Sequence, residues 1–394
     1  MQSMDRRAFL QAVGVSGLAM TPMVSAAAQG VQVSHEVATF NMPAIAKPDK
    51  PVRFAVAGMS HDHIYGMVDS MKRGGGELVS VYASEPERGD AFIKRYPGTK
   101  RAASIEEIVT DPSIQLVLTS QVPNERAPIG IRAMQHGKDV LSDKPGITTL
   151  EQLAEVRKTI AATKRIFGIM YSERLEVKAA VKAGELVHQG AIGKVIQTIN
   201  IAPHQVIQRA GDAGGGTGRP DWFWEPVKYG GILTDIGSHQ VDQFLYYTGC
   251  TKAEVVASQV SNVRHPDHPL FQDFGDMMLH GDKGFGYVRL DWFTPAGLGT
   301  WGDGRLFILG TDGYMELRKY VDIAGMKGGN HLFLADAKGT RYLDCNQVPL
   351  PFGPQFISDI AHRTHTAQDQ EQCLLAAELV IHAQLKALHV KVEG

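Results

Sequence analysis

Val52-Arg53-Phe54-Ala55-Val56-Ala57-Gly58-Met59-Ser60-His61-Asp62-His63 is the stretch from which the rest of the chain is read. A short apolar run closed by a glycine describes a buried strand that ends in a tight turn. The spacing that follows, over 64–72, is that of a helix. Outward from this unit the alternation continues, with strands expected over 78–82, 116–119 and 139–141. Helices are expected over 64–72, 90–96, 105–109, 129–136 and 149–163. Strands alternating with helices of this length make a parallel sheet with right-handed crossovers, so residues 51–170 read as a doubly wound α/β domain.

Residues 171–394 read differently. After a helix over 177–189, strands are expected over 195–201, 255–263, 276–280, 286–293 and 305–309, and a long closing helix over 369–390 is expected to pack back on the first domain. Runs of strands imply an open, mostly antiparallel sheet with helices on one face, so the fold class is α/β followed by α+β. Residues 29–50 carry no sustained period and read as a tether. Gly211–Gly218 is a glycine-rich loop that is either a lid or a surface turn.

The 394 residues are 43% hydrophobic and 21% charged, with a formal net charge of -2, which suits two globular domains and argues against nucleic acid as a partner. The three cysteines have neither zinc-site spacing nor the even number of a disulfide framework, although a single bridge stays open. Asp5-Arg6-Arg7-Ala8-Phe9-Leu10, the small apolar run to Val24 and Ala26-Ala27-Ala28 resemble a twin-arginine export signal over 1–28. The run is too short for a membrane span of roughly 20 residues, so no stable membrane insertion is expected after cleavage. The mature protein is then periplasmic or otherwise exported, and it carries any cofactor out with it already folded.

Three motifs hold chemistry. The first is the turn at Gly58, where a pyrophosphate can sit on a helix N-terminus; Ser60 is small enough for close approach, whereas His63 stands where a glycine is usual. Glu85, beyond the second strand, suits an adenosine ribose, and Ser84 and Arg88 beside it suit a 2′-phosphate instead. His61 and His63 invite a metal, but no spacing nominates further ligands, so no metal is expected and Asp62 is read as a helix cap. The second motif is Ser142-Asp143-Lys144-Pro145, which puts a lysine at the carboxyl edge of the parallel sheet, where it can exchange a proton with a substrate oxygen. The third is Gly230–Asp242, in which Asp235, His239 and Asp242 share one helical face. Ile232, Leu233, Ile236, Val241, Phe244 and Leu245 surround that stripe and require it to be buried. Trp222 and Trp224 are read as core or as a wall for a sugar ring.

Together, Phe54–Gly58, Pro123-Asn124, Ala133–Pro145, Gly190–Gly193, Asp221-Trp222 and Gly230–Asp242 resemble the Gfo/Idh/MocA family of NAD(P)-dependent oxidoreductases, from Pro51 to the C-terminus. The resemblance implies a Rossmann domain and a retained NAD or NADP. It implies Lys144 as catalytic lysine, Asp235 as its partner acid and His239 as an acid/base group. Gly58, Ser60, His61, His63, Glu85, Asn124 and Lys144 then line the cofactor, and Arg174, Trp222, Asp235 and His239 line the substrate. Asp143 replaces a glutamate of the family's lysine motif, and Arg126 stands where a histidine is usual. The implied reaction is hydride transfer between nicotinamide and a sugar, polyol or related cyclic substrate. A redox-neutral glycoside hydrolase or lyase using retained NAD, and a non-catalytic sugar-binding protein, are the alternatives. A homodimer or homotetramer through the open sheet is also implied.

Overall fold

The computed structural model describes residues 31–206 and 219–392. The export signal expected over 1–28 and the glycine-rich loop expected over 211–218 lie outside the described residues. Strand β1 (Val33–Val37) precedes a six-stranded unit: β2 (Arg53–Met59), β3 (Glu77–Tyr82), β4 (Lys100–Arg101), β5 (Leu116–Ser120), β6 (Asp139–Asp143) and β7 (Phe167–Met170). All of its pairs are parallel, in the order β4-β3-β2-β5-β6-β7. This is the doubly wound order, and the direction of winding reverses between β2 and β5, where ligands bind beyond the carboxyl ends of the strands. The central strands are continuously apolar because helices cover both faces; Phe54, Ala55, Val56, Leu116, Val117 and Leu118 are all fully buried.

Two helices start earlier than expected, at Pro86–Arg95 and Pro123–Gln135, because a proline at the first helical position favours initiation and needs no amide partner. The apolar period of the second is interrupted by the buried Arg126.

The second unit comprises β8 (Val195–Pro203), β9 (Ala253–Ser261), β10 (Phe274–Gly281), β11 (Phe285–Asp291), β12 (Arg305–Gly310), β13 (Gly313–Arg318), β14 (His331–Asp336), β15 (Gly339–Asp344) and β16 (Leu388–His389). With β1 they form a ten-stranded sheet in the order β1-β15-β14-β13-β12-β8-β11-β10-β9-β16. Its pairs are antiparallel except β1 with β15, β8 with β11 and β9 with β16. Helices Lys178–His188 and Gly237–Thr248 pack on one face. The other face carries exposed Met278, Phe285, Leu309 and Tyr314.

The tether is corrected in part. Val33–Val37 is an edge strand whose residues are all exposed, held by backbone pairing and by His35 against the Tyr342 ring at 5.1 Å, so no apolar period announces it. The closing helix ends at Lys386, where Ala387 turns extended and Leu388–His389 joins β9. Helix Phe352–His362 was not expected, and it ties the C-terminal region to the first domain. It lies against helix His63–Arg73 so closely that a Cβ on Gly353 would stand 2.0 Å from the Ser70 carbonyl oxygen. Helix Gln370–Lys386 packs on Leu150–Thr163 and β7 as well as on β9. The cysteines Cys250, Cys345 and Cys373 are free and buried. Among the described residues no helix is long and apolar enough to cross a membrane.

Candidate active site

At the winding reversal, Gly58, the next-to-last residue of β2, has φ +91°, and a Cβ there would lie 2.9 Å from the Gln121 side chain. Only glycine fits that approach. The Ser60 amide donates to the Ser120 carbonyl at 3.0 Å, and the Ser60 hydroxyl donates to Gln121 Oε1 at 2.5 Å, stitching the ends of β2 and β5 together. Asp62 was expected to cap helix His63–Arg73 but makes no cap bond; it accepts from Arg88 Nη1 at 2.9 Å instead. The uncapped N-terminus leaves amides and a helix dipole suited to an anion. Glu85 is half-buried at the head of helix Pro86–Arg95 and accepts from the Ser84 hydroxyl at 2.7 Å. Asn124, in the first turn of Pro123–Gln135, has a buried Oδ1 without a partner. A glycine cradle, an uncapped helix end and an orphaned acceptor at one crevice fit a dinucleotide.

Lys144 follows β6 directly, and its Nζ donates to Asp235 Oδ1 at 2.9 Å; the two side chains are 6% and 12% exposed. Asp235 closes helix Ile232–Asp235, which starts at Gly231 with φ +84°. Burial alone would raise the Asp235 pKa, yet the Lys144 charge and hydrogen bond outweigh it and hold the carboxyl below its ordinary value. The pair therefore joins the two units of the molecule.

Asp143, the residue before Lys144, is fully buried and collects three donors. His61 Nδ1 lies 2.9 Å from Oδ2, His63 Nδ1 lies 2.9 Å from Oδ1, and Arg126 Nη2 lies 3.2 Å from Oδ2. Burial pushes its pKa up, but the Arg126 charge and then the two histidines overcome that and bring it well below the carboxylate range. Arg126 also donates to the carbonyls of Gln121, at 2.6 Å, and of Lys144. It thereby clamps the strand end that presents the lysine.

His239 sits in helix Gly237–Thr248, 2% exposed, with Nδ1 unpartnered. Its ring centroid is 6.5 Å from His63 and 6.5 Å from Tyr171. Desolvation, eased by Glu173 and reinforced by Lys144, lowers its pKa to about 3. A neutral imidazole in this position serves as a hydrogen-bond partner and a weak base.

Several expectations need correction. Asp242 does not share the cleft with Asp235 and His239. Arg174, expected to meet substrate, is locked on Asp242 through Nε–Oδ2 at 2.5 Å and Nη2–Oδ1 at 2.9 Å and lies over the Tyr246 ring at 4.4 Å. Seven residues from Asp235 to Asp242 is nearly two turns, enough to carry the carboxylate past the cleft into the interior. Trp224 stacks on His268, of the segment between β9 and β10, at 3.9 Å, whereas Trp222 approaches His61 at 6.2 Å with a buried, unpartnered Nε1.

Glu173, Lys319, Gln243 and His204 escaped the sequence reading. Lys319 Nζ bonds Glu173 Oε2 at 2.8 Å and Gln243 Oε1 at 2.8 Å, and Gln243 Nε2 donates to the His239 carbonyl at 2.9 Å. Glu173 would be raised by burial but is drawn down to about 2 by Lys319, then by His239 and His204. His204 is lowered to about 4, mainly by desolvation. Glu173 and Lys319 lie 146 positions apart, so no local spacing joins them.

The oxidoreductase-family model for an NAD-binding Rossmann fold matches residues 52–171, and the GFO/IDH/MocA C-terminal domain model matches 180–316. A 1,5-anhydro-D-fructose reductase from Ensifer adhaerens is 27% identical over 212 residues, covering 52% of this chain and 59% of that relative. The chain thus spans little more than half the length of this curated relative. A solved oxidoreductase structure from Erwinia carotovora atroseptica SCRI1043 is 45% identical, with a TM-score of 0.81 over 86% of this chain and 99% of that one. A levoglucosan dehydrogenase solved with NADH and levoglucosan shares the fold at 15% identity, with a TM-score of 0.69 over 86% of this chain and 98% of its own. Both family models in sequence order, and a structural match along nearly the whole of a 45%-identical relative, make the chain a member of the Gfo/Idh/MocA oxidoreductase family.

Proposed function

We propose that the chain is an exported oxidoreductase that transfers hydride between a tightly held nicotinamide dinucleotide and a sugar, polyol or related cyclic hydroxy or keto compound. The observation that carries the proposal is the Lys144–Asp235 pair, which spans the two units beside an unpartnered, buried His239 Nδ1. Buried polar atoms without partners carry a desolvation cost that a hydroxylated ligand relieves. The relatives support a compact cyclic substrate, one of them being an anhydro-sugar reductase and another a levoglucosan dehydrogenase. Export rests on the arginine pair and apolar run ahead of Gln29.

When bound, the nicotinamide supplies the hydride donor or acceptor. Gly58, Ser60 and the uncapped end of helix His63–Arg73 would hold the dinucleotide's phosphates, and Asn124, with its buried unpartnered Oδ1, would offer it an acceptor. Lys144 carries the proton to or from the reacting oxygen, because its ammonium is a mobile donor with one fixed bond. Asp235 fixes the position of that ammonium through one hydrogen bond. His239, held neutral, orients the substrate hydroxyl through a ring nitrogen. The exposed apolar side of the large sheet supports association with a second copy, which light scattering of the purified protein reads directly.

The test is acid release of protein purified from cytoplasm. One equivalent of nicotinamide nucleotide per chain is expected in the supernatant, with quenching of tryptophan when NADH or NADPH is returned. Protein with no nucleotide and no quenching overturns the proposal.

A further inference from the structure

We propose that His61, His63 and Asp143 form a binding site for a divalent transition metal of the zinc class. His61 lies in the turn after β2 and His63 opens the helix that follows, while Asp143 ends β6, 82 and 80 positions away. Their ligand atoms all lie within 4.8 Å of one another. Both imidazoles turn the same nitrogen, Nδ1, toward the two oxygens of one carboxylate, at 2.9 Å each. In a tetrahedral zinc site, with metal–ligand distances of about 2.0–2.1 Å, neighbouring donor atoms stand about 3.3 Å apart. With one carboxylate oxygen as ligand, the imidazole already bonded to that oxygen opens by roughly 0.4 Å, and the wider separations, which reach no more than 4.8 Å, close toward the ion by side-chain rotation. Two imidazoles and one carboxylate leave a fourth position for water or a ligand oxygen, the arrangement of catalytic rather than closed structural sites.

The surroundings suit the ion. Arg126 Nη2, 3.2 Å from Asp143 Oδ2, is the outer partner that orients a ligating carboxylate. The Ser120 hydroxyl donates to the His61 carbonyl at 2.9 Å and holds the turn that presents the histidines. The side chain of Asp143 is fully buried, while those of His61 and His63 are 19% and 41% exposed, so an ion reaches the site from the histidine side. With both imidazoles deprotonated for coordination, Asp143 and Asp235 balance Arg126 and Lys144, and a divalent ion brings the cluster to +2. An anionic group in the crevice, such as a pyrophosphate, then offsets that charge.

This inference goes beyond the hydride-transfer reading and is read out without any nucleotide. Metal-free protein is titrated with Zn2+ by calorimetry and with Co2+ by visible absorption, and metal content is measured after dialysis. One Zn2+ per chain and the intense absorption of four-coordinate Co2+ are expected. His63→Ala, at a half-exposed position, is expected to keep its circular dichroism while weakening Zn2+ binding by more than about 100-fold, beyond the 10–100-fold that loss of an outer partner costs. Arg126→Lys is expected within that smaller range. Asp143→Asn adds a second ligand test if His63→Ala fails to fold. The proposal is overturned by Zn2+ binding weaker than millimolar in the wild-type chain, or by binding that His63→Ala and Asp143→Asn leave unchanged. Those results would mark the trio as a hydrogen-bonded clasp on the Lys144 strand.

Discussion

The helical stripe Asp235, His239, Asp242 contains two cation–carboxylate pairs of similar burial and opposite character. Lys144 and Asp235 meet through one bond, and their side chains are 6% and 12% exposed. Arg174 and Asp242 meet through two, at 8% and 1%. A planar guanidinium satisfies both oxygens of its carboxylate and leaves little for a third group to do. A single ammonium contact leaves donors on one partner and an oxygen on the other. Denticity, more than burial, separates the pair that can receive a ligand from the pair that holds the core.

Removing one member of each pair breaks this comparison most sharply. Lys144→Ala is expected to lower turnover by about 10²–10⁴-fold, the usual contribution of a positioned proton carrier, while nucleotide stays bound. Arg174→Ala is expected to cost about 3–5 kcal/mol of stability by leaving Asp242 charged and alone in the interior. Paired turnover and denaturation curves decide. If Arg174→Ala keeps its stability and loses turnover, the sealed pair is misassigned.

Much of this contrast was legible in the chain, and the rest was hidden for identifiable reasons. The Rossmann order follows from continuous apolar strands between helices, and the stripe follows from four- and three-residue steps. Asp242 shares the face of Asp235 and His239 but not their cleft, because periodicity gives a face but not where along that face the cleft ends. Glu173 and Lys319, 146 residues apart, and Asp143, 82 residues from His61, are joined only by the packing of strands and helices. Val33–Val37 left no signal because a solvated edge strand has no buried side to pattern.

Between the two pairs, His239 is neutral, which sets a pH limb. Its folded pKa of about 3 lies below the ordinary 6.5, so the unfolded chain binds the proton more readily than the native one. The stability this provides is complete above about pH 6.5 and is lost as pH falls toward 3, at about 1.4 kcal/mol per pH unit at most. His239→Gln removes that dependence. Denaturation at pH 7, 6, 5 and 4 should show the wild type losing stability relative to the variant as pH falls, and parallel curves would refute the neutral imidazole.

A third pair completes the series at its weakest end. Arg88 Nη1 meets Asp62 Oδ1 at 2.9 Å, but the side chains are 30% and 21% exposed, and water screens them. Arg88→Ala is therefore expected to change stability by less than about 1 kcal/mol. Its effect should fall on the cofactor instead, since Arg88 stands one helical turn beyond Glu85, where an adenosine 2′-phosphate would sit. A hydrogen bond to a charged group contributes about 1.5–3 kcal/mol, so NADPH binding is expected to weaken roughly 10–100-fold while NADH binding holds. Fluorescence titration with the two nucleotides separates the outcomes. Equal weakening of both would mean that Arg88 acts through Asp62 on the shared turn at Gly58, and no weakening of either would leave Glu85 as the residue that selects the ribose.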